Sequence, residues 1–175
     1  MKKQKVKRVS HITVGDFLKR HGVSLKMSCV NGELGFSREI QEPAINRPGL
    51  ALSGFTDYFA HERVQVLGNS EFSYLEQLSP ELRRERIRKI CDLKIPCLVV
   101  ARDTAIPEDL LDEATAANVC VFVTPLSTMQ FMNHATVLLE KDFAESTNLH
   151  GCMISYRGLG ILIMGKSGSG KSEAA

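Results

Sequence analysis

The stretch Gly160-Ile161-Leu162-Ile163-Met164-Gly165-Lys166-Ser167-Gly168-Ser169-Gly170-Lys171-Ser172 decides how the rest of this chain is read. Its first five residues are a short apolar run of buried-strand character. The eight that follow fit the phosphate-binding pattern G-x-x-x-x-G-K-[ST] at every fixed position. A strand leading straight into the loop is the order the motif requires. Such a loop grips phosphate through backbone N–H groups and through the positive end of a following helix. With glycine at about 7% of residues, the fixed positions coincide by chance in roughly 1% of chains this long. The competing reading is a plain Gly/Ser-rich turn.

Each position has a mechanical reason. Gly165, Gly168 and Gly170 permit positive φ and let the backbone approach a ligand without a Cβ in the way. Lys171 is expected to reach the β- and γ-phosphates, and the Ser172 hydroxyl to hold a Mg²⁺ that bridges them. Lys166, Ser167 and Ser169 occupy variable positions of the nucleotide loop, and Lys166 also reads as a solvated surface charge. Glu173 suits the first turn of a helix on electrostatic grounds alone. Only Ala174 and Ala175 follow it, so the helix has little length in which to begin.

Composition bounds the remainder. The chain has 175 residues, of which 43% are hydrophobic, enough for one good core and part of another. No run approaches the roughly 18 apolar residues of a membrane helix, and the basic start is not followed by a signal-peptide core, so no membrane partner and a cytoplasmic location are expected. The five cysteines, Cys29, Cys91, Cys97, Cys120 and Cys152, form no C-x-x-C pair and are expected as reduced core thiols rather than a disulfide or zinc framework.

Net charge is only +2, although Lys2, Lys3, Lys5, Lys7 and Arg8 make a basic tail. Without interleaved aromatics for base stacking, the tail reads as a solvated terminus, and no nucleic-acid partner is expected. A second basic group, Arg83, Arg84, Arg86, Arg88 and Lys89, lies on a helix opened by Ser79 and Pro80. Leu82, Ile87, Ile90 and Leu93 form its buried stripe, which leaves the arginines on the wet side, open to an acidic partner.

Along the chain, Thr13 caps a predicted helix from Val14 to His21, with Gly22 as its stop. Residues 25–38 read as short strands and a turn, and residues 42–54, with two prolines and two glycines, as a shaped loop. Strands are expected at residues 63–68, 96–100 and 119–123, and helices at 71–78, 107–117 and 127–143. This alternation predicts an α/β fold with a largely parallel sheet. The polar run Glu145-Ser146-Thr147-Asn148 ends it. A β-hairpin follows, with Cys152 to Tyr156 as its first strand, a turn at Arg157-Gly158-Leu159-Gly160, and a second strand entering the phosphate loop. The expected division is an amino-terminal α/β domain over 1–135, a linker and helix end over 136–146, and the start of a phosphate-loop domain over 147–175.

Three stretches together resemble one family, the bifunctional HPr kinase/phosphorylases. They are Arg47-Pro48-Gly49-Leu50-Ala51-Leu52-Ser53-Gly54-Phe55 with residues 63–71, His150-Gly151 with Tyr156-Arg157-Gly158-Leu159-Gly160, and Gly165 to Glu173. The resemblance implies a serine kinase that uses ATP or pyrophosphate with Mg²⁺ to phosphorylate the phosphocarrier protein HPr, and that reverses the step by phosphorolysis. It implies Lys171 at the transferred phosphoryl group, Ser172 on the metal and His150 as an active-site histidine. It likens the amino-terminal domain to the nucleotide-binding domain of peptidoglycan ligases, and it implies a homo-oligomer, a hexamer in the family. The family's catalytic aspartate and remaining metal ligands have no counterpart here, so the chain alone is expected to be inactive. The alternative is a non-catalytic regulatory or assembly module, with Arg47, Pro48, Gly49 and Phe55 as its surface.

Overall fold

A computed structural model describes residues 8–147, 149, 151–166 and 168–173. The chain divides into two compact units, Val9–Ala144 and a second one that contains the segment from Glu145 onward.

The larger unit opens with β1 (Ile12–Thr13) and α1 (Val14–His21). The Thr13 side chain accepts a hydrogen bond from the Asp16 amide at 3.1 Å, which caps the helix start as expected. Gly22 ends α1 in right-handed geometry, and a Cβ there would lie 2.5 Å from the Leu18 carbonyl oxygen. The glycine is therefore demanded by space rather than by handedness. Next come β2 (Ser28–Cys29), β3 (Glu39–Ile40), β4 (Ile45–Asn46) and α2 (Gly49–Leu52). The segment expected as a shaped loop thus contains a two-residue strand, set between Pro43 and Pro48, and a helical turn. What makes the strand is pairing at a distance: β4 lies parallel to β5 (Val64–Leu67), with Asn46 opposite Gln65.

Gln65 is fully buried. Its amide oxygen accepts from Asn46 at 2.8 Å, and its amide nitrogen donates to the carbonyls of Ala60 and Arg63 at 2.8 and 2.7 Å. A buried amide with these partners fastens the edge strand without an unpaired polar atom. Then follow α3 (Asn69–Glu76), α4 (Pro80–Asp92), β6 (Cys97–Ala101), α5 (Glu108–Ala116), β7 (Cys120–Thr124) and α6 (Thr128–Phe143). The α6 start carries a reciprocal cap between Ser127 and Gln130.

The sheet order is β2-β7-β6-β5-β4, with β4 to β7 parallel and β2 antiparallel at the edge. Neighbours in the parallel part are consecutive in the chain. Alternate residues of β6 point to opposite faces, as strand geometry requires. Cys97, Val99 and Ala101 join Phe17, Phe131, Ala135 and Leu139 in one core, whereas Leu98 and Val100 join Leu52, Leu75, Ile87, Ile90 and Leu110 in the other. Helices α2 to α5 therefore cover one face, and α1 with α6 the other. The expected α/β fold with a largely parallel sheet is present.

The arginine face of α4 is not the free wet surface that the sequence implies. Arg83 pairs with Asp109, Arg84 with Asp112 and Glu113 at 3.1 and 3.4 Å, and Arg88 with Glu113 at 2.8 Å. The acidic partner is α5 of the same chain. All five cysteines are free thiols. Burial pushes the Cys91 thiol up to about 12 and also raises those of Cys97 and Cys120, while Cys29 and Cys152 are only half-buried. No helix among the described residues is long and apolar enough to cross a membrane.

Candidate functional site

In the smaller unit, β8 (Gly151–Tyr156) and β9 (Leu159–Met164) pair antiparallel, with Tyr156 opposite Leu159 and Gly151 opposite Met164. The turn holds only Arg157 and Gly158, shorter than the expected four residues, because Leu159 and Gly160 belong to the strand. Both turn residues have positive φ, 49° and 80°, the geometry whose twist matches that of the flanking strands. The Arg157 guanidinium lies 5.3 Å from the centre of the Tyr156 ring, a cation–π contact that steadies the turn.

The hairpin delivers the chain at Gly165 into the phosphate-binding sequence. Gly168 and Gly170 take φ of 78° and 73°, which only glycine adopts freely. Gly165 differs from its expectation, since it is not among the residues with positive φ. A Cβ there would sit 2.7 Å from the Ser169 hydroxyl, so its role is to let the loop fold back closely. That fold-back is held by the Ser169 amide donating to the Lys166 carbonyl at 3.3 Å. Residues 171–173 form turns rather than a helix, with the Glu173 amide donating to the Gly170 carbonyl at 3.1 Å. The positive helix end expected behind the loop is thus absent from the described residues.

Lys171 donates to the Lys166 carbonyl at 2.6 Å, so its ammonium lies across the loop it belongs to. The Ser172 hydroxyl stands 3.6 Å from the Cys152 sulfur on β8, which places the serine against the hairpin. A cleft of about 410 Å³ is lined by Gly168, Ser169, Gly170, Lys171, Ser172 and Glu173. These groups fit a polyphosphate: main-chain amides around glycines, one ammonium, and one hydroxyl for a cation bridging to phosphate. They do not by themselves make a metal centre, because no group of three His, Cys, Asp or Glu side chains that could hold an ion occurs among the described residues. Ser167 and His150, both named from the sequence, lie outside the described residues.

Of the amino-terminal surface residues, Arg47 pairs with the buried carboxylate of Glu71 at 2.9 Å. Pro48 and Gly49 start α2, and Phe55 is half exposed. Glu71 also accepts from the Gly68 amide at 2.9 Å. This buried acid, to which the sequence assigned no role, links the Arg47 segment to the cap of α3.

A parallel α/β unit, followed by a hairpin that carries a phosphate-loop sequence, defines the class. Residues 12–139 match the family described as HPr Serine kinase N terminus, and the chain belongs to that family. An HPr kinase/phosphorylase from Brevibacillus brevis is 40% identical over 149 residues, covering 85% of this chain and 48% of the relative. One from Bacillus subtilis is 38% identical with the same coverage. Another from Chlorobium phaeovibrioides is 37% identical over 174 residues, 98% of this chain and 52% of the relative. The chain spans about half the length of the curated relatives it matches. Among solved structures, the CBS and DRTGG domains of the regulatory region of Clostridium perfringens pyrophosphatase align with a TM-score of 0.54 at 13% identity, over 79% of this chain and 54% of that one. This last likeness is one of fold.

Proposed function

We propose that the whole protein is a serine kinase/phosphorylase in which the loop from Gly165 to Ser172 binds ATP or pyrophosphate, and that its substrate is HPr. The observation that carries this reading is the loop's conformation, with Gly168 and Gly170 at positive φ and Lys171 folded over the same backbone. The names of the relatives supply the substrate. Phosphoryl transfer depends on positioning and on neutralising charge. Lys171 would leave the Lys166 carbonyl for phosphate oxygens, the loop amides would hold the non-transferred phosphates, and the Ser172 hydroxyl would hold Mg²⁺, which supplies charge neutralisation when bound. In reverse, phosphate attacks the phosphoserine of HPr, which releases pyrophosphate and restores the serine hydroxyl.

His150 belongs to this reading as an active-site histidine, and so do a cytoplasmic location and the hexamer implied by the family. This chain alone is proposed to be inactive, since the described residues offer the cation one hydroxyl and no aspartate cluster. Both faces of the hairpin are largely open: Met153, Leu159 and Met164 are 74%, 69% and 60% exposed. Two strands do not make a stable sheet unaided, so the remainder of a chain of the relatives' length is the expected cover.

The test is serine phosphorylation of HPr by the full-length protein. Lys171→Ala is expected to abolish transfer while the thermal unfolding of the Val9–Ala144 unit stays unchanged. Transfer retained in that variant would refute the assignment. A second reading is favoured by the separate, well-packed Val9–Ala144 unit: a non-catalytic regulatory or assembly module. Calorimetry on this chain separates the two. Tight Mg²⁺-dependent nucleotide binding supports a working loop, and no measurable heat supports the module.

A further inference from the structure

A second cleft lies within the amino-terminal unit, lined by Arg47, Asn69, Ser70, Arg102, Thr128, Met129 and Met132, with a volume of about 360 Å³. That size falls in the range of small-molecule sites, about 300 to 1,000 Å³. Its walls share one topological position. Arg47 follows β4, Asn69 and Ser70 follow β5, Arg102 follows β6, and Thr128 starts the helix that follows β7. Every parallel strand therefore contributes at its carboxyl end. The chain leaving β6 passes to one face of the sheet as α5, and the chain leaving its neighbour β7 passes to the other as α6. Open parallel sheets bind ligands in the crevice where successive connections part in this way.

The charge of the cleft selects the ligand. Two guanidiniums line it and no carboxylate does. Arg47 is held by the buried Glu71 and remains 41% exposed, so its position is set while one side stays open. Arg102 is exposed and has no side-chain hydrogen bond or ion pair among the described residues. Arginine forks match the oxygens of phosphate. Asn69 and Ser70 at the start of α3 and Thr128 at the start of α6 also line this space, and helix starts favour anions. Met129 and Met132 give the cleft an adaptable apolar wall, suited to a flat ring.

We propose that this cleft binds a phosphate-bearing metabolite of nucleoside-monophosphate type, in a site separate from the phosphate loop. The phosphate sits between Arg47 and Arg102, and the base lies along Met129 and Met132. The site uses no residue of the loop, so it stands or falls independently of the kinase reading.

The experiment is amide and methionine-methyl NMR of the full chain titrated with AMP, ribose 5-phosphate and inorganic phosphate. The Lys171→Ala variant is titrated in parallel, so that the phosphate loop's contribution is separated. Saturable shifts are expected at the amides of Asn69, Ser70 and Thr128 and at the methyls of Met129 and Met132, unchanged by Lys171→Ala. AMP is expected to bind more tightly than the other two. Arg102→Gln should weaken binding about tenfold or more, as loss of a charge-assisted contact implies. Because Arg102 is exposed, its variant's spectrum should otherwise superimpose on the native one. Shifts confined to residues 168–172, or equal affinity in Arg102→Gln, would overturn the site. Equal affinity for AMP and phosphate would overturn its nucleotide character.

Discussion

At Gly68 the absence of a single methyl group lets two layers of the fold meet. A Cβ there would lie 2.4 Å from the Thr128 hydroxyl oxygen, where the turn after β5 passes the first residue of α6. Gly68→Ala is expected to cost about 1 to 3 kcal/mol through overpacking, read as a lower urea midpoint. Adding Thr128→Ala should recover much of that loss, and a pair of variants whose effects simply add would refute the contact. Glu71 acts beside it, buried, with one carboxylate oxygen serving both Arg47 and the Gly68 amide. Glu71→Ala should therefore destabilise by about 2 kcal/mol, the combined scale of a lost cap and an orphaned buried donor, measured by the same denaturation. Both lie in the stretch 63–71 that carries the family resemblance, but nothing in the sequence gives either a role. Their importance comes from neighbours far along the chain, and only the loop glycines, Lys171 and Ser172, which answer to a local pattern, could be singled out beforehand.

Among the elements, the pairing of α4 with α5 has the clearest dependence on acidity. Hydrogen bonding from Arg88, reinforced by its charge and by Arg84, holds the Glu113 carboxyl below its ordinary 4.5. A carboxyl lowered in the folded state stabilises fully above that value and loses its contribution as pH falls through the lowered one. Glu113→Gln should accordingly be less stable at neutral pH and show a shallower loss of melting temperature on the acid side, measured by thermal scans from pH 6 downward. An unchanged acid slope would remove Glu113 from that role. Helices with strong local marks were legible: Thr13, Ser79 and Ser127 cap α1, α4 and α6 where the sequence placed those starts. The strand β4 was not, because prolines and glycines signal a loop and its pairing with β5 is not local. The identity of the acidic partner of the α4 arginines was hidden for a related reason. Helical periodicity tells which side faces away from the core, but not that an acidic helix lies alongside.

For the whole molecule, the contrast is between a sheet packed on both faces and a hairpin with little cover. Hydrogen exchange should be slow at the amides of β6 and β7 and fast at those of β8 and β9, following buried contact. In a protein of the relatives' full length the hairpin amides should become protected, and fast exchange there would contradict the proposed cover. The phosphate loop was legible as a sequence, whereas its shape, with Lys171 turned onto Lys166 and turns rather than a helix over residues 171–173, was not. The brevity of β4 bears on a different matter, the behaviour of many copies at once. A sheet margin two residues long, set between prolines that have no N–H to offer, gives an incoming strand almost nothing to zip onto. Crowded solutions of this unit should stay free of fibrils seeded from that border.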